Sequence, residues 1–481
     1  MGAARVSTVA LPGGSSGVLY WHVMGEPERT EPIALTTVDM AYGPHAVARH
    51  DGKVIFVRGA APGEEVQAVV RDERRSHAFA DAVAIVRPSP QRRVPPCEYL
   101  PRCGGCPWQH LTYAAQLAEK RRIVSDQLRR VAGLDVDVAP VLPSPAEFHC
   151  RRRIKLRVEA GAVGFYAGAS HALVPVERCL LAEPSVARAI PAAAALVAST
   201  QLPVRRIELL GTGTAADRVV VVGEVEGAWE PAAQTECAAW LAAHAMVAGL
   251  VLQGRGWRRS WGDVSLSFEP EPGLTLTAHA PAFTQVNPAI NQALVEQVVR
   301  WVAPHPGQRV LDLYAGAGNL SVPLLRRGAA VVAVEADRQA AADAVANAAR
   351  IGGPPLTMRH ERAERAVEDL ARIGAGLDAV VLDPPRSGAA GCIAALLRLA
   401  PRCIVYVSCD PATLARDLRS LSERYRIEAV QPLDMFPQTY HVETVVRATL
   451  SCDTQTPGVS SARRHESAEP SRRRRTRRRT S

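Results

Sequence analysis

Cys409 stands in the run Tyr406-Val407-Ser408-Cys409-Asp410-Pro411, and its two flanks say where it lies. Ile404 to Val407 form an apolar run that reads as a short buried strand. Asp410 followed by Pro411 reads as a helix start, with Asp at the N-cap and Pro at the first helical position. Cys409 is therefore expected at a strand end, beside a helix N-terminus. Such a place lowers a thiol pKa and favours the nucleophilic thiolate. A structural core cysteine, the bland alternative, does not need it.

A second constellation lies upstream. Val310-Leu311-Asp312-Leu313-Tyr314-Ala315-Gly316-Ala317-Gly318-Asn319 reads as a strand, a Gly-rich turn and a helix start. Gly316 and Gly318 allow a ligand close to the backbone. Glu335 ends the next apolar run, 23 residues after Asp312, where an acidic side chain can bind ribose hydroxyls. Ser321 stands where a dinucleotide fingerprint has its third glycine, which turns the reading from NAD toward S-adenosylmethionine. Asp383-Pro384-Pro385-Arg386 ends a later strand with a carboxylate on a rigid rim, at the edge where such sheets bind ligands.

The third constellation is cysteine. Five residues separate Cys97 from Cys103, two separate Cys103 from Cys106, and 72 intervene before Cys179. Four thiols suit a zinc ion or an iron–sulfur cluster. Zinc sites usually show two close pairs, and only one is present, so a [4Fe–4S] cluster that is structural or assists RNA binding is the preferred reading. Cys150, Cys237, Cys392, Cys403 and Cys452 belong to no motif and read as core or incidental.

These groups need several domains to position them, and 481 residues suffice for two to four. The 47% hydrophobic content is that of a globular protein. No apolar run approaches a membrane span, and the start lacks a signal-peptide layout, so a cytoplasmic protein without membrane partners is expected. Ten cysteines are then not a disulfide framework. The net charge is +9, but nine Arg and two Glu from Arg463 onward carry +7, leaving +2 for the rest. The tail is expected to attract RNA nonspecifically, and the body must use local basic patches.

Five segments follow. Residues 1–31 are an extension expected to be disordered, with Met24 an alternative start. Residues 32–90 show short strands broken by Gly, Pro and Asp turns, as in a small OB-type barrel, with Arg71, Arg74, Arg75 and His77 in a basic hairpin. Residues 91–285 form a central α+β domain. It holds the cysteine loop and an amphipathic helix with Leu117, Val124, Leu128 and Val131 on one face and Lys120, Arg121, Arg122, Arg129 and Arg130 largely elsewhere. A strand with Arg151, Arg153, Lys155 and Arg157 on one side supplies an RNA-binding surface. In residues 286–450 apolar strands at 310–313, 330–334, 377–382 and 403–407 alternate with helices, the first opened by Asn287-Pro288, giving a doubly wound, Rossmann-like parallel sheet. Residues 451–481 are a polar tail expected to be disordered.

From about residue 32 to 450 the chain resembles the RNA uridine-5 methyltransferases that carry an N-terminal TRAM domain and an iron–sulfur cluster. The barrel resembles TRAM, and Cys97, Cys103, Cys106 and Cys179 resemble the cluster ligands. Phe283-Thr284-Gln285-Val286-Asn287 resembles a motif whose Gln contacts the methyl donor. Asp312, Tyr314, Gly316, Gly318, Asn319 and Glu335 resemble the donor site, and Asp383-Pro-Pro-Arg386 also matches. Ser408-Cys409-Asp410-Pro411 resembles the nucleophile motif, with Asp410 where Asn is more frequent. The segment Asp434 to Glu443 resembles the one ending in the catalytic base. Gln438 stands where His is common, and Cys150 where an aromatic is usual.

The resemblance implies S-adenosylmethionine-dependent methylation of uracil carbon 5 in RNA, with large-subunit (23S) ribosomal RNA as the leading substrate and tRNA as the alternative. Carbon 5 of uracil is a poor nucleophile. Addition of the Cys409 thiolate at carbon 6 makes an enolate that takes the methyl group, and Glu443 then removes the carbon 5 proton. Gln285 and Asp383 orient donor and base. The uridine must leave its stack. His441 is a rival base. A monomer is expected. Two other classes compete: an exocyclic-amine methyltransferase, which needs no Cys nucleophile, and a non-catalytic RNA-binding factor, which needs neither Cys409 nor Glu443.

Overall fold

Small apolar side chains decide the first unit. In the computed structural model, which describes residues 31–451 and the paired strands Thr8–Val9 and Val18–Leu19, a five-stranded barrel closes over an alanine-rich interior. Its strands are Ile33–Met40, His45–His50, Lys53–Arg58, Glu65–Glu73 and His77–Arg87. Ala46, Ala48, Ala68, Ala78, Ala80 and Ala82 let so few strands close, with Leu35, Ile55, Val57 and Ile85 filling the remainder. Trp108 and Leu111, from the stretch after the cysteine loop, cap the barrel. The expected disorder of both termini, the alternative start and the role of Cys452 lie outside the described residues, the short strand pair excepted.

The central sheet has seven strands in the order Leu173–Pro175, Ala162–Tyr166, Arg153–Glu159, Val204–Gly211, Val219–Val225, Val247–Gly254 and Trp257–Gly262. Its inner strands are Val- and Leu-rich and almost wholly buried. Helices Ile190–Ser199 and Ala233–Ala243 bring Leu196 and Trp240 to its core.

The C-terminal sheet also has seven strands. Their order is Thr357–His360, Ala330–Glu335, Arg309–Leu313, Ala379–Leu382, Cys403–Ser408, Glu443–Leu450 and Tyr425–Leu433. The first five run parallel. Glu443–Leu450 alone runs opposite, pairing antiparallel with both its neighbours, so the sheet is mixed rather than wholly parallel. Strand order reverses between Arg309–Leu313 and Ala379–Leu382, and the crevice at such a switch point is where doubly wound sheets bind ligands.

Helix Tyr113–Gln127 is wedged between two cores: Ala115 and Ile123 join the barrel, while Val124 joins the C-terminal sheet. Two readings of this helix need correction. Val131, just beyond it, is 38% exposed, whereas Lys120 is fully buried. Lys120 Nζ donates to Asp434 and, at 3.0 Å, to the Phe436 carbonyl. A buried ammonium is stable only with such partners, and its own lie more than 300 residues away in sequence.

Candidate active site

The turn after Cys403–Ser408 is fixed by hydrogen bonds. Asp410 caps helix Pro411–Leu421, its Oδ1 accepting from Ala412 N at 3.0 Å and Thr413 N at 2.9 Å. Asp410 N donates to Ser408 Oγ at 3.2 Å. Cys409 lies between, half-buried. The helix start is where the sequence puts it, but the expected thiolate is not. Burial, then the Glu443 and Asp383 charges, push the Cys409 thiol up to about 12, with Arg386 opposing. Asp410 itself takes up the free N–H groups of the helix start, so little of their field reaches the sulfur.

Glu443 reaches Cys409 through strand register. Val407 pairs with Val445 and Ser408 with Thr444, where the ladder ends, so the next residues, Cys409 and Glu443, lie close enough for the Glu443 charge to act on the thiol. The Glu443 side chain is buried and its Oε1 has no hydrogen-bond partner. Burial and the Asp383 charge raise its proton affinity well above the usual carboxylate range, and Arg386 lowers it. Gln285 Nε2 donates to Asp383 Oδ2 at 3.3 Å. His441 is held neutral, pushed down to about 3 by burial and by Arg386, Arg151 and Lys120.

Asp312, Glu335 and Asp383 end three adjacent parallel strands at the switch point. Burial, with the Asp383 and Glu335 charges, pushes Asp312 up to about 7 against the bond from Ser321. Burial pushes Asp383 up to about 6. One Asp312 oxygen is buried without a partner. Glu335 accepts from Gly316 N at 2.9 Å and Asp337 N at 2.7 Å. The two glycines do different work. Gly316 has φ +56° and open space where a Cβ would point, while a Cβ on Gly318 would meet Val322 Cγ2 at 2.8 Å. Gly316 thus leaves room for a ligand, and Gly318 lets the turn close on its helix. Three carboxylates beside an open glycine turn suit the sulfonium and ammonium charges of S-adenosylmethionine. Tyr314, at φ +65°, turns its hydroxyl to Cys392 and Glu364, each at 3.5 Å. Asn319 exchanges two 2.9 Å bonds with Asn291, bracing helix Pro288–Val302.

Cys97, Cys103, Cys106 and Cys179 line one chamber of about 370 Å³, together with Arg151, Arg153, Lys155, Phe283 and Arg386. Among the described residues no three potential ligands converge on a position for one metal ion. Arg151 has two buried guanidinium nitrogens without partners. The row of free cations read from the sequence is reduced: Arg153 and Lys155 share the Glu208 carboxylate, and Arg157 lies 5.0 Å from the Tyr166 ring. Neighbouring positive charges on one strand face repel, and a buried carboxylate between them relieves this.

Three contacts were not legible in the sequence. Tyr42, from the barrel, donates to Asp410 Oδ2 at 3.3 Å. Arg386 is exposed, forms no ion pair among the described residues, and acts on both Cys409 and Glu443. Gln438 is buried at φ +69°, accepts from Arg93 at 2.6 Å and Gln116 at 3.0 Å, and its carbonyl accepts from Trp108 N at 3.1 Å. It ties the cysteine loop to the segment ending at Glu443.

Comparison with known proteins places the chain among relatives of one family. Residues 112–449 match the family described as tRNA (Uracil-5-)-methyltransferase, and residues 30–83 match the TRAM domain. The 23S rRNA (uracil(1939)-C(5))-methyltransferase RlmD of Thiobacillus denitrificans is 37% identical, over 83% of this chain and 96% of its own. The protein of that name from Pseudomonas putida is 36% identical, over 83% and 89%. The Pyrococcus abyssi tRNA (uracil-54, C5)-methyltransferase, solved with S-adenosyl-L-homocysteine, aligns with a TM-score of 0.67 at 26% identity, covering 87% of this chain and all of that one.

Proposed function

The chain belongs to the tRNA (uracil-5-)-methyltransferase family, and from that premise we propose that it methylates carbon 5 of one uridine in 23S ribosomal RNA. The observation that supports the chemistry is a ladder ending at Ser408 and Thr444, one residue short of Cys409 and Glu443, with the Glu443 charge acting on the Cys409 thiol. S-adenosylmethionine supplies an electrophilic methyl group when bound over Gly316 and beside Asp312, Glu335 and Asp383. The chain's own residues do the rest. Cys409 gives its proton to water as sulfur bonds to carbon 6 of the uracil, and the displaced electron pair enters the ring as an enolate. Arg386 stabilises both the departing thiolate charge and the enolate. After methyl transfer to carbon 5, Glu443 takes the carbon 5 proton. The carbon–sulfur bond then breaks and Cys409 leaves as thiolate. The burial that raises Glu443's proton affinity makes it a stronger base for this step.

Cys409→Ala given S-adenosylmethionine and ribosomal RNA should yield no 5-methyluridine, and product from it would end this reading. Glu443→Gln should accumulate a denaturant-stable protein–RNA adduct, because carbon 5 keeps its proton. Tyr42 is assigned as a positioning residue on the Asp410 cap. For the substrate, nucleoside mapping of ribosomal and transfer RNA from a strain lacking the gene decides: loss confined to tRNA refutes the ribosomal assignment.

We also assign Cys97, Cys103, Cys106 and Cys179 to a [4Fe–4S] cluster. Four thiols line one chamber, and their spacing, with one close pair rather than two, favours a cluster over zinc. The unpartnered Arg151 guanidinium suits an anionic group. Such a cluster supplies negative charge and cross-links the loop to the segment after Leu173–Pro175. Iron and sulfide after anaerobic purification support it, and stoichiometric zinc refutes it. We read the protein as a cytoplasmic monomer, where its RNA is. No described helix is long and apolar enough to cross a membrane.

A further inference from the structure

The outermost strand of the central sheet, Trp257–Gly262, takes no part in the chemistry above. It pairs with Val247–Gly254 on one side and leaves its other edge free. Its residues alternate indole and guanidinium: Trp257-Arg258-Arg259-Ser260-Trp261. Trp257, Arg259 and Trp261 share a face, and Trp229 joins them there. The Trp229 ring centroid lies 5.2 Å from that of Trp257 and 5.8 Å from that of Trp261. The Arg259 guanidinium lies 5.9 Å from the Trp229 centroid.

The inner sides of the three indoles rest on the core of the central sheet, and each stays half-buried. Trp257 Nε1 donates to the Gly227 carbonyl at 3.0 Å, which fixes its plane. On the opposite face, Arg258 ends a cross-strand row of Arg206, Glu224 and Gln253. Beside it a pocket of about 630 Å³ is lined by Arg255, Trp257 and Arg258. Arg206 is neutralised by Glu224 at 3.0 Å. Arg255, Arg258 and Arg259 are exposed and form no ion pair among the described residues. Indoles that only shielded a core edge would not need three unpaired cations around them.

We propose that this edge is a second RNA-contact surface, where unpaired bases flanking the target stack on the Trp229–Trp257 shelf and phosphates meet Arg255, Arg258 and Arg259. The inference rests on RNA being the substrate. Flat π faces beside free guanidinium groups are the chemistry that holds a single strand irrespective of sequence. The exposed charges also discourage pairing of the free edge with another strand. The cysteine chamber is lined from the Arg153–Glu159 and Ala162–Tyr166 strands of the same sheet, four to five strand spacings or roughly 19–24 Å away. Only an RNA that continues several nucleotides beyond the target uridine reaches both.

The test uses the full chain and two RNAs: a 23S stem–loop around the position the relatives methylate, and the same stem–loop with an unpaired flank. Arg258→Gln with Arg259→Gln changes only exposed side chains. Affinity for the extended RNA should fall about tenfold, and the salt dependence of log K should lose about 1.4 of its slope, two single-strand phosphate contacts' worth. Binding and methylation of the short RNA should match wild type. Ultraviolet cross-linking of the wild-type complex should place the flank on residues 255–262. Unchanged binding of the extended RNA overturns the proposal, as does an equal loss with both RNAs. A wild-type dimer that the variant turns into monomer also overturns it, assigning the edge to a second copy. If wild type methylates neither RNA, the functional reading fails, and the binding comparison still decides this one.

Discussion

The protein holds one half-buried thiol, Cys409, and a set of four half-buried thiols around a chamber, and they are built differently. Cys409 meets its partner through ladder register: strand Glu443–Leu450 is hydrogen-bonded beside Cys403–Ser408 along six residue pairs. The chamber cysteines come from loops, tied by few bonds. Cys97 N donates to Gln109 Oε1 at 3.0 Å, and Cys103 forms an isolated bridge with Ala167. Burial raises the proton affinity of thiols in both places, but the neighbours differ in sign. Carboxylates add to the rise at Cys409, whereas Arg151 opposes it at Cys106. One site is preorganised by backbone and waits as a neutral thiol. The other is a cavity lined from loops, with a spare cation in its wall.

If that contrast is right, Cys409→Ala has the largest effect and the narrowest. Product formation should fall by about 10⁴-fold or more, as when a nucleophile is removed. Iron content should be unchanged. Iron loss in this variant would show that the two regions are one unit. Next is Lys120→Met, which leaves Asp434 buried beneath the segment that carries Glu443. Breaking such a pair should destabilise by roughly 3–5 kcal/mol in denaturant unfolding, and adding Asp434→Leu should recover most of it. Failure of the double variant to recover would mean that the pair does more than neutralise itself. Cys103→Ser should act through the cavity: lost iron and roughly 2–3 kcal/mol of stability, by loss of a ligand bound only to the folded state. Little change in either would make the chamber an ordinary core.

The sequence displayed local devices and hid distant ones. Asp410-Pro411 was readable as a helix start because capping is decided within four residues. Asn287-Pro288 was readable for the same reason. The acidic ends of the parallel strands followed from strand–helix alternation. What failed depended on partners far along the chain. Lys120 looked like a surface lysine because Asp434 is 314 residues away. Nothing near Tyr42 marks it as a site residue, because its partner Asp410 is 368 residues away. The sign of the Cys409 shift was missed because helix termini can be read from sequence, while burial and two converging carboxylates cannot. Glu443 was found only through its motif, since nothing local says that strand 443–450 inserts between 403–408 and 425–433.

The smallest effect separates the sites by pH. Asp383 sits at about 6 in the folded protein against an ordinary 3.8, raised by burial. A raised carboxyl binds its proton more tightly when folded, so the stability it contributes is full below its ordinary value and is lost as pH rises through about 6. The loss is bounded near ~3 kcal/mol by linkage and is better taken as ~1–2 kcal/mol for a group so close to Gln285 and Glu443. Asp383→Asn should therefore stabilise the protein by that amount at pH 8 and by nothing at pH 4. S-adenosylmethionine should bind wild type more tightly at pH 8 than at pH 5, as Asp383 and then Asp312, at about 7, ionise toward its positive charge. The variant should bind it more weakly and with a flatter pH profile. Iron content should follow neither change, because the chamber holds none of these carboxylates. Parallel stability profiles for variant and wild type between pH 4 and 8 would show that Asp383 carries no such strain, and that the carboxylate pocket is as well satisfied without its donor as with it.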